Sequence, residues 1–377
     1  MRIGIDARFY GPVGKGIGRY IQKLIEYLEK IDFKNQYFIF LRQENFDLYQ
    51  PKNKNFQKIL IDYPWYSWKE QFFLSFKLRK YKLDLVHFPH FNVPILYRGK
   101  FVVTIHDLII TRFPGQRATT LPPILYRLKW LFYNIVIRSA VRRAKKIIAV
   151  SQFTKSEIVK YLKIKPEKVA VIYEAAEFTS HQSLVIDNQI KIRFGLKKPY
   201  ILYVGNAYPH KNLENLVSAF EILLKDYHQD LQLVLVGAKD FFYQRLINRL
   251  QKLKLESDRI ILTGSISDQD LDQLYRQALI YVFPSFCEGF GLPGLEAMSR
   301  GVPVVASRAA SLPEIYQQAA FYFNPRQIKE IAKAIFQVIN DENLRNKLCQ
   351  QGCQRVEKFS WRKTAEETMV VYLEALK

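Results

Sequence analysis

One pattern runs along this chain twice: short apolar runs bounded by turn residues alternate with longer amphipathic stretches. Parallel strands need helical crossovers between them, so such alternation specifies a parallel sheet with helices on both faces. In the first half, strands are expected at Ile3–Ala7, Tyr37–Leu41, Lys58–Ile61, Asp84–Phe88, Phe101–Ile105, Lys146–Val150 and Val169–Tyr173. Helices are expected between them at Gly18–Glu29, Trp68–Lys80, Leu125–Ala144 and Phe153–Leu162. A second series opens at Tyr200, with strands at Ile201–Val204, Leu231–Val236, Ile260–Leu262, Ile280–Val282 and Pro303–Ala306.

The polar stretch Glu174–Pro199, which holds Thr179-Ser180-His181-Gln182-Ser183, separates the two series and places a linker at 176–199. The expected fold class is α/β, two Rossmann-like doubly wound domains facing across a cleft, with domains at 1–175 and 200–359. The length of 377 residues exceeds the size at which a single core keeps growing and agrees with two domains. Ligands of open parallel sheets bind at the carboxyl ends of the strands, so function is sought there.

The chain carries 57 Lys+Arg against 35 Asp+Glu, a net charge of +22 that draws it to polyanions: nucleic acid, anionic lipid or phosphorylated substrates. Much of the excess lies in Leu108–Ser156, which has no acid while Arg112, Arg117, Arg127, Lys129, Arg138, Arg142, Arg143, Lys145, Lys146 and Lys155 accumulate. Trp130, Phe132 and Tyr133 interleave with these cations, and the stretch from Trp65 to Lys80 has the same character. Such helices suit an anionic lipid surface; a solvated basic side backed by an aromatic core side is the other reading. No nucleic-acid motif is present, and none is expected to bind.

Three cysteines, Cys287, Cys349 and Cys353, argue against a disulfide framework and suit a reducing compartment. The N-terminus reads as a strand rather than a signal sequence, and no run approaches a membrane span. A cytoplasmic protein, peripheral on the inner membrane face, is the expectation.

The most informative segment is Phe283–Met298, where Glu288 and Glu296 flank Gly289-Phe290-Gly291-Leu292-Pro293-Gly294-Leu295. The glycines free the backbone for close approach to a ligand, and Pro293 suits a helix start, so Glu288 falls on the loop and Glu296 in the helix. Amides at that start would favour an anion such as a diphosphate; a plain strand–turn–helix connection with an acid on the helix dipole is the alternative. Tyr203-Val204-Gly205-Asn206-Ala207-Tyr208-Pro209-His210-Lys211-Asn212 ends the first strand of the second series and brings a lysine to the same end. In the first series Gly11-Pro12-Val13-Gly14-Lys15-Gly16-Ile17-Gly18-Arg19 follows a strand and opens a helix, without Walker or G-x-G-x-x-G spacing. His106 and Asp107 close a strand there. The acids Asp268, Asp270 and Asp272 read as the first turn of a helix capped by Ser267 or Asp268 rather than as a metal site.

With Ala297-Met298 and Gly301-Val302-Pro303-Val304-Val305-Ala306-Ser307, these segments resemble the retaining glycosyltransferases of family 4, which have the two-domain fold called GT-B. The likeness covers nearly the whole chain, and Asp6-Ala7-Arg8 with the glycine loop resembles mannosyltransferase-like members. The resemblance implies that Glu288 meets hydroxyls of the transferred sugar, Glu296 the ribose, and the amides of Phe290, Gly291 and Leu292 the sugar ring. It puts Lys211 on the donor diphosphate beside Gly205 and Asn206, Ile266 by the nucleobase, and Gly14 and Gly16 near the phosphates and sugar. His106 would contact the donor sugar or leaving group, and Asp107 would orient the acceptor. Asn206 departs from an arginine common in the family, leaving a charged His210 or Arg308 as the second phosphate ligand.

The tail from Phe359 to Thr368 reads as a capped terminal helix, and the resemblance returns that helix, 360–377, to the first domain. A nucleotide-sugar donor and a lipid-linked or glycan acceptor follow from it; no metal or other cofactor is expected, because Asp268 to Asp272 read as a helix start and Lys211 with the helix-end amides supplies positive charge to the diphosphate. A nucleotide-sugar epimerase of the same fold and, less well supported, a basic nucleic-acid-binding protein are the competing readings.

Overall fold

A computed structural model describes residues 1–113, 119, 121–176, 189–251 and 258–377. Arg117 and half of the expected linker, 177–188, lie outside the described residues. The chain forms two compact units: one takes the chain up to residue 113 together with Leu121–Glu174 and Ser360–Lys377, the other the residues from Ala175 to Phe359.

The first unit holds β1 (Arg2–Asp6), β2 (Gln36–Leu41), β3 (Phe56–Leu60), β4 (Leu85–Phe88), β5 (Phe101–Ile105), β6 (Lys146–Ala149) and β7 (Val169–Val171). They lie in the order β3-β2-β1-β4-β5-β6-β7, every pairing parallel. The strand β5, Phe-Val-Val-Thr-Ile, is buried along its whole length. Helices cover both faces of such a sheet, so its strands read as continuous apolar runs instead of alternating.

The second unit repeats the scheme with β8 (Tyr200–Val204), β9 (Gln232–Val236), β10 (Ile260–Gly264), β11 (Ile280–Phe283), β12 (Val304–Ser307) and β13 (Ala320–Phe323), in the order β10-β9-β8-β11-β12-β13. In each sheet the strand order reverses once, at β1/β4 and at β8/β11. Loops leaving neighbouring strands there diverge to opposite faces, which opens a crevice at the carboxyl end.

Four local features differ from the sequence reading. The edge strand β13 was not expected; with four residues, two of them half-buried, it is too short to stand out as an apolar run. The single helix expected at Trp68–Lys80 is a π turn, Glu70–Leu74, running into an α-helix, Ser75–Arg79, and Glu70 at its start is fully buried. Part of the expected linker is a helix, Gln189–Phe194, with Ile190 buried. The terminal helix Trp361–Leu376 has no side-chain cap at Ser360.

That terminal helix belongs to the first unit. Thr364 Oγ1 donates to the carbonyl of Tyr173 at 2.7 Å, and the Tyr372 hydroxyl meets His87 Nδ1 at 2.7 Å. The other His87 nitrogen meets Thr104 Oγ1 at 2.8 Å. Complete burial pushes the His87 pKa down to about 3, so a neutral imidazole ties the helix to β4 and β5.

Candidate active site

At the carboxyl end of β8 two buried phenols fix the backbone: Tyr203 Oη donates to the Asn206 carbonyl at 2.8 Å and Tyr243 Oη to that of Gly205 at 2.9 Å. The chain then makes a 3-10 turn, Pro209–Lys211, ended by Asn212 in the left-handed region at φ 62°. Asparagine is among the few residues that adopt that conformation readily, and its buried amide donates to the carbonyls of Pro284 at 3.0 Å and Pro325 at 2.8 Å. A further bond joins Phe286 N to the His210 carbonyl at 2.8 Å. The loop after β8 is thereby fastened to the loop after β11.

The fastening brings together two residues 77 positions apart: Lys211 Nζ lies 2.7 and 2.9 Å from the two carboxylate oxygens of Glu288. Their side chains are 16% and 10% exposed, sheltered yet open to an incoming ligand. The Ser311 hydroxyl lies 3.0 Å from the carbonyls of both Glu288 and Phe290 and so holds this loop. Gly291 follows at φ 114°, and a Cβ there would stand 2.6 Å from the Tyr316 hydroxyl, which itself donates to the Gly291 carbonyl at 2.6 Å. Only glycine fits that position.

The helix Leu292–Met298 is seven residues long, so the dipole at its start is weak. Its Glu296 is buried and accepts from Tyr275 Oη at 3.3 Å. Phe290 is buried against Phe359, Leu292 is half-buried, and Ile266 is half-buried in the loop after β10.

Local electrostatics bear on two of the readings for this unit. Burial, then the charge of Lys211, push the His210 pKa down to about 4, so a neutral ring replaces the cation expected as a second phosphate ligand. Arg308 is exposed, its guanidinium 5.9 Å above the Tyr322 ring. Ser267 caps its helix by accepting from Asp270 N at 3.0 Å, and Asp272 pairs with Arg276 at 2.6 Å and Arg300 at 2.8 Å. Among the described residues no three His, Cys, Asp or Glu side chains stand where they would hold a metal ion.

In the first unit His106 and Asp107 follow β5. His106 Nδ1 lies 3.0 Å from Glu174 Oε1 and Nε2 lies 3.0 Å from the Pro89 carbonyl. An ionised Glu174 and the Pro89 carbonyl both accept, an arrangement that favours the ring with both nitrogens protonated. Burial opposes that charge, but the hydrogen bond and charge of Glu174 prevail and the pKa is raised. Asp107 Oδ1 accepts from Ile109 N at 2.9 Å. Gly14 ends a 3-10 turn, Pro12–Gly14, where a Cβ would meet the Phe9 carbonyl oxygen at 2.0 Å, whereas Gly16 has open space. The loop therefore needs Gly14 for its own packing.

Beside the loop lies a cluster that the sequence reading did not assemble. Arg8, wholly buried, donates to both Asp6 oxygens at 2.7 Å, to Glu70 at 2.6 Å and to the Tyr63 carbonyl at 3.3 Å. Glu70 and Glu174 were also missed, because nothing local in the sequence marks the distant partner of either. Ser311 and Tyr316 are silent in sequence for the same reason.

Two Rossmann-like parallel sheets, with a lysine–carboxylate pair at the switch point of the second, define a protein of the GT-B fold. Residues 14–177 match the family described as Glycosyltransferase Family 4, and residues 186–355 match Glycosyl transferases group 1. The chain is 29% identical over 303 residues to "O-antigen chain mannosyltransferase B" of Escherichia coli, covering 79% of this chain and 76% of that protein. It is 30% identical over 294 residues to "Serotype-specific mannosyltransferase WbdA" of Escherichia coli, covering 74% of this chain but only 34% of that longer protein. Among solved structures it superposes on Anabaena Alr3699/HepE in complex with UDP-glucose with a TM-score of 0.78, at 17% identity and over 99% of both chains. The chain belongs to glycosyltransferase family 4, among relatives that include mannosyltransferases.

Proposed function

We propose that the chain is a retaining hexosyltransferase, taking mannose from a nucleotide-diphosphate donor to a lipid-linked or polysaccharide acceptor at the cytoplasmic face of an anionic membrane. The observation that carries this reading is the sheltered Lys211–Glu288 pair at the carboxyl end of the second sheet. A diphosphate placed against Lys211 competes with Glu288 for the ammonium, and the released carboxylate is then free for sugar hydroxyls. Lys211 stabilises charge on the departing diphosphate as the bond from sugar C1 to phosphate oxygen breaks. The acceptor oxygen bonds C1 from the same face, and its proton passes to the departing phosphate, so no protein nucleophile is required.

Glu296 meets the ribose, Ile266 the nucleobase, and the backbone at Phe290 to Leu292 the sugar; Gly14, Gly16, Gly205 and Asn206 line the donor's path. His106 serves the transferred sugar and Asp107 the acceptor. The relatives named as mannosyltransferases support mannose, and the UDP-glucose held by the Anabaena protein supports a nucleotide-sugar donor. With Lys211 supplying the positive charge, the reaction runs without a divalent cation.

The test is turnover of a panel of nucleotide-sugars by the purified protein, with the anomeric configuration of the product read by NMR. Retention of configuration with a mannosyl donor, undiminished by exhaustive chelation, is expected. Inverted product, or activity that disappears with chelator and returns with magnesium or manganese, would overturn the mechanism.

A further inference from the structure

The acid-free stretch carries large apolar side chains that stay exposed. In the helix Pro123–Arg143 the buried residues are Tyr133, Val136, Ile137, Ala140 and Val141, all in its second half. From its start the helix presents a stripe at helical spacing, Ile124, Leu128, Leu131 and Ile135, all exposed, Ile124 at 73%. The neighbouring segment presents Trp68, Phe72 and Phe76, with Trp68 at 67% exposed. Trp68 joins the two: its ring meets Phe132 edge-on at 5.4 Å and stacks on Phe72 at 6.3 Å. The result is one continuous apolar face built from two helices. Scattered exposed apolar residues are ordinary, but a contiguous patch marks an interaction surface.

Charge identifies the partner. Exposed cations rim the face, Arg127, Lys129 and Arg138 on one helix and Lys69 and Arg79 on the other, while the one acid between Trp65 and Tyr81, Glu70, is buried against Arg8. An apolar face rimmed by these cations complements acyl chains beneath anionic headgroups. By contrast, the cations at the far end of the long helix are partly engaged elsewhere: Arg143 donates to the carbonyls of Tyr97 and Pro94, and Lys146 pairs with Glu374 at 2.7 Å.

We infer that the first unit docks on an anionic bilayer by inserting this two-helix apolar face, the cations serving as its rim. The inference rests on the membrane location proposed above and assigns its surface and its chemistry. Insertion makes binding resist salt, because about 1 M salt screens charges beyond roughly 3 Å but leaves apolar burial in place.

The full-length protein is sedimented with phosphatidylglycerol vesicles and with phosphatidylcholine vesicles. Wild type is expected to pellet with the former and to stay bound at about 1 M salt, while Phe72→Ser combined with Leu131→Ser lowers partition at least about tenfold. Donor turnover with a soluble acceptor checks that the variant is folded. Wild type that binds neither vesicle removes the membrane location and this inference together. Vesicle binding that ignores the double variant, or that salt abolishes, removes the inference alone. Dimers in light scattering without vesicles, dissolved by the same variant, would give the face to a second copy of the chain and overturn it.

Discussion

The two sheets carry cations at corresponding ends but hold them in different ways. In the second, Lys211 has a single carboxylate against it, and both side chains keep some exposure. In the first, Arg8 is wholly buried between two carboxylates and a carbonyl, and His106 is gripped at both nitrogens. A cation with one exchangeable partner can transfer its charge to a ligand, since one bond is traded for another. A cation saturated by buried acceptors cannot, because leaving them strands two charges in the interior. The difference separates a cation with one exchangeable partner, Lys211, from one locked in the interior, Arg8.

The comparison breaks most visibly at Arg8. Arg8→Met should leave Asp6 and Glu70 buried without a counter-charge and cost about 3–5 kcal/mol of stability, read as a lower midpoint in urea unfolding. A loss below about 1 kcal/mol would show that Arg8 is no scaffold. The folded remainder, assayed where the variant is still native, should turn over donor with little change.

Lys211→Ala sharpens the other side. Removing a partly exposed, singly paired lysine should alter stability little, yet lower kcat/KM about a hundredfold or more, the scale of one preorganised charge stabiliser. Glu288→Gln should act chiefly on kcat and Glu296→Gln chiefly on donor binding. Normal kinetics in all three folded variants would remove the second sheet's site from the chemistry.

How far the sequence reached follows the same division. The second unit's candidate site was legible as a grouping because its parts lie in two compact segments, 203–212 and 283–298, where glycine, proline and acid mark a turn and a helix start. The strands were legible because parallel sheets impose apolar runs. What stayed hidden was assembled across distance: Arg8 with Glu70, His106 with Glu174, Lys211 with Glu288 as an ion pair rather than as two separate ligands. The neutrality of His210 was hidden as well, since it depends on burial that only the folded loops create. The apolar face was partly legible as aromatics among cations, but which aromatics turn outward is decided by packing.

The smallest effect is expected at Glu174, and it tests whether His106 belongs with the scaffold. The ring is faced by Glu174 across its Nδ1, the Pro89 carbonyl across its Nε2, the charge of Asp107 beside it and the edge of Tyr20 at 4.9 Å, with the neutral His87 and His90 nearby. Its folded pKa is raised above the ordinary 6.5, so the ion pair contributes its full stability below about that pH and loses it as pH rises through the raised value. Glu174→Gln keeps an acceptor at Nδ1 but removes the charge, so the His106 titration, followed by the NMR shift of its ring protons, should move to lower pH. Near neutral pH the substitution should change kcat/KM only a few-fold, with the alkaline limb of the profile shifting in the same direction as the titration. A titration that does not move would mean that Glu174 is not what keeps the ring charged. A loss as large as that of Lys211→Ala would place His106 among the exchangeable cations and dissolve the contrast between the two sheets.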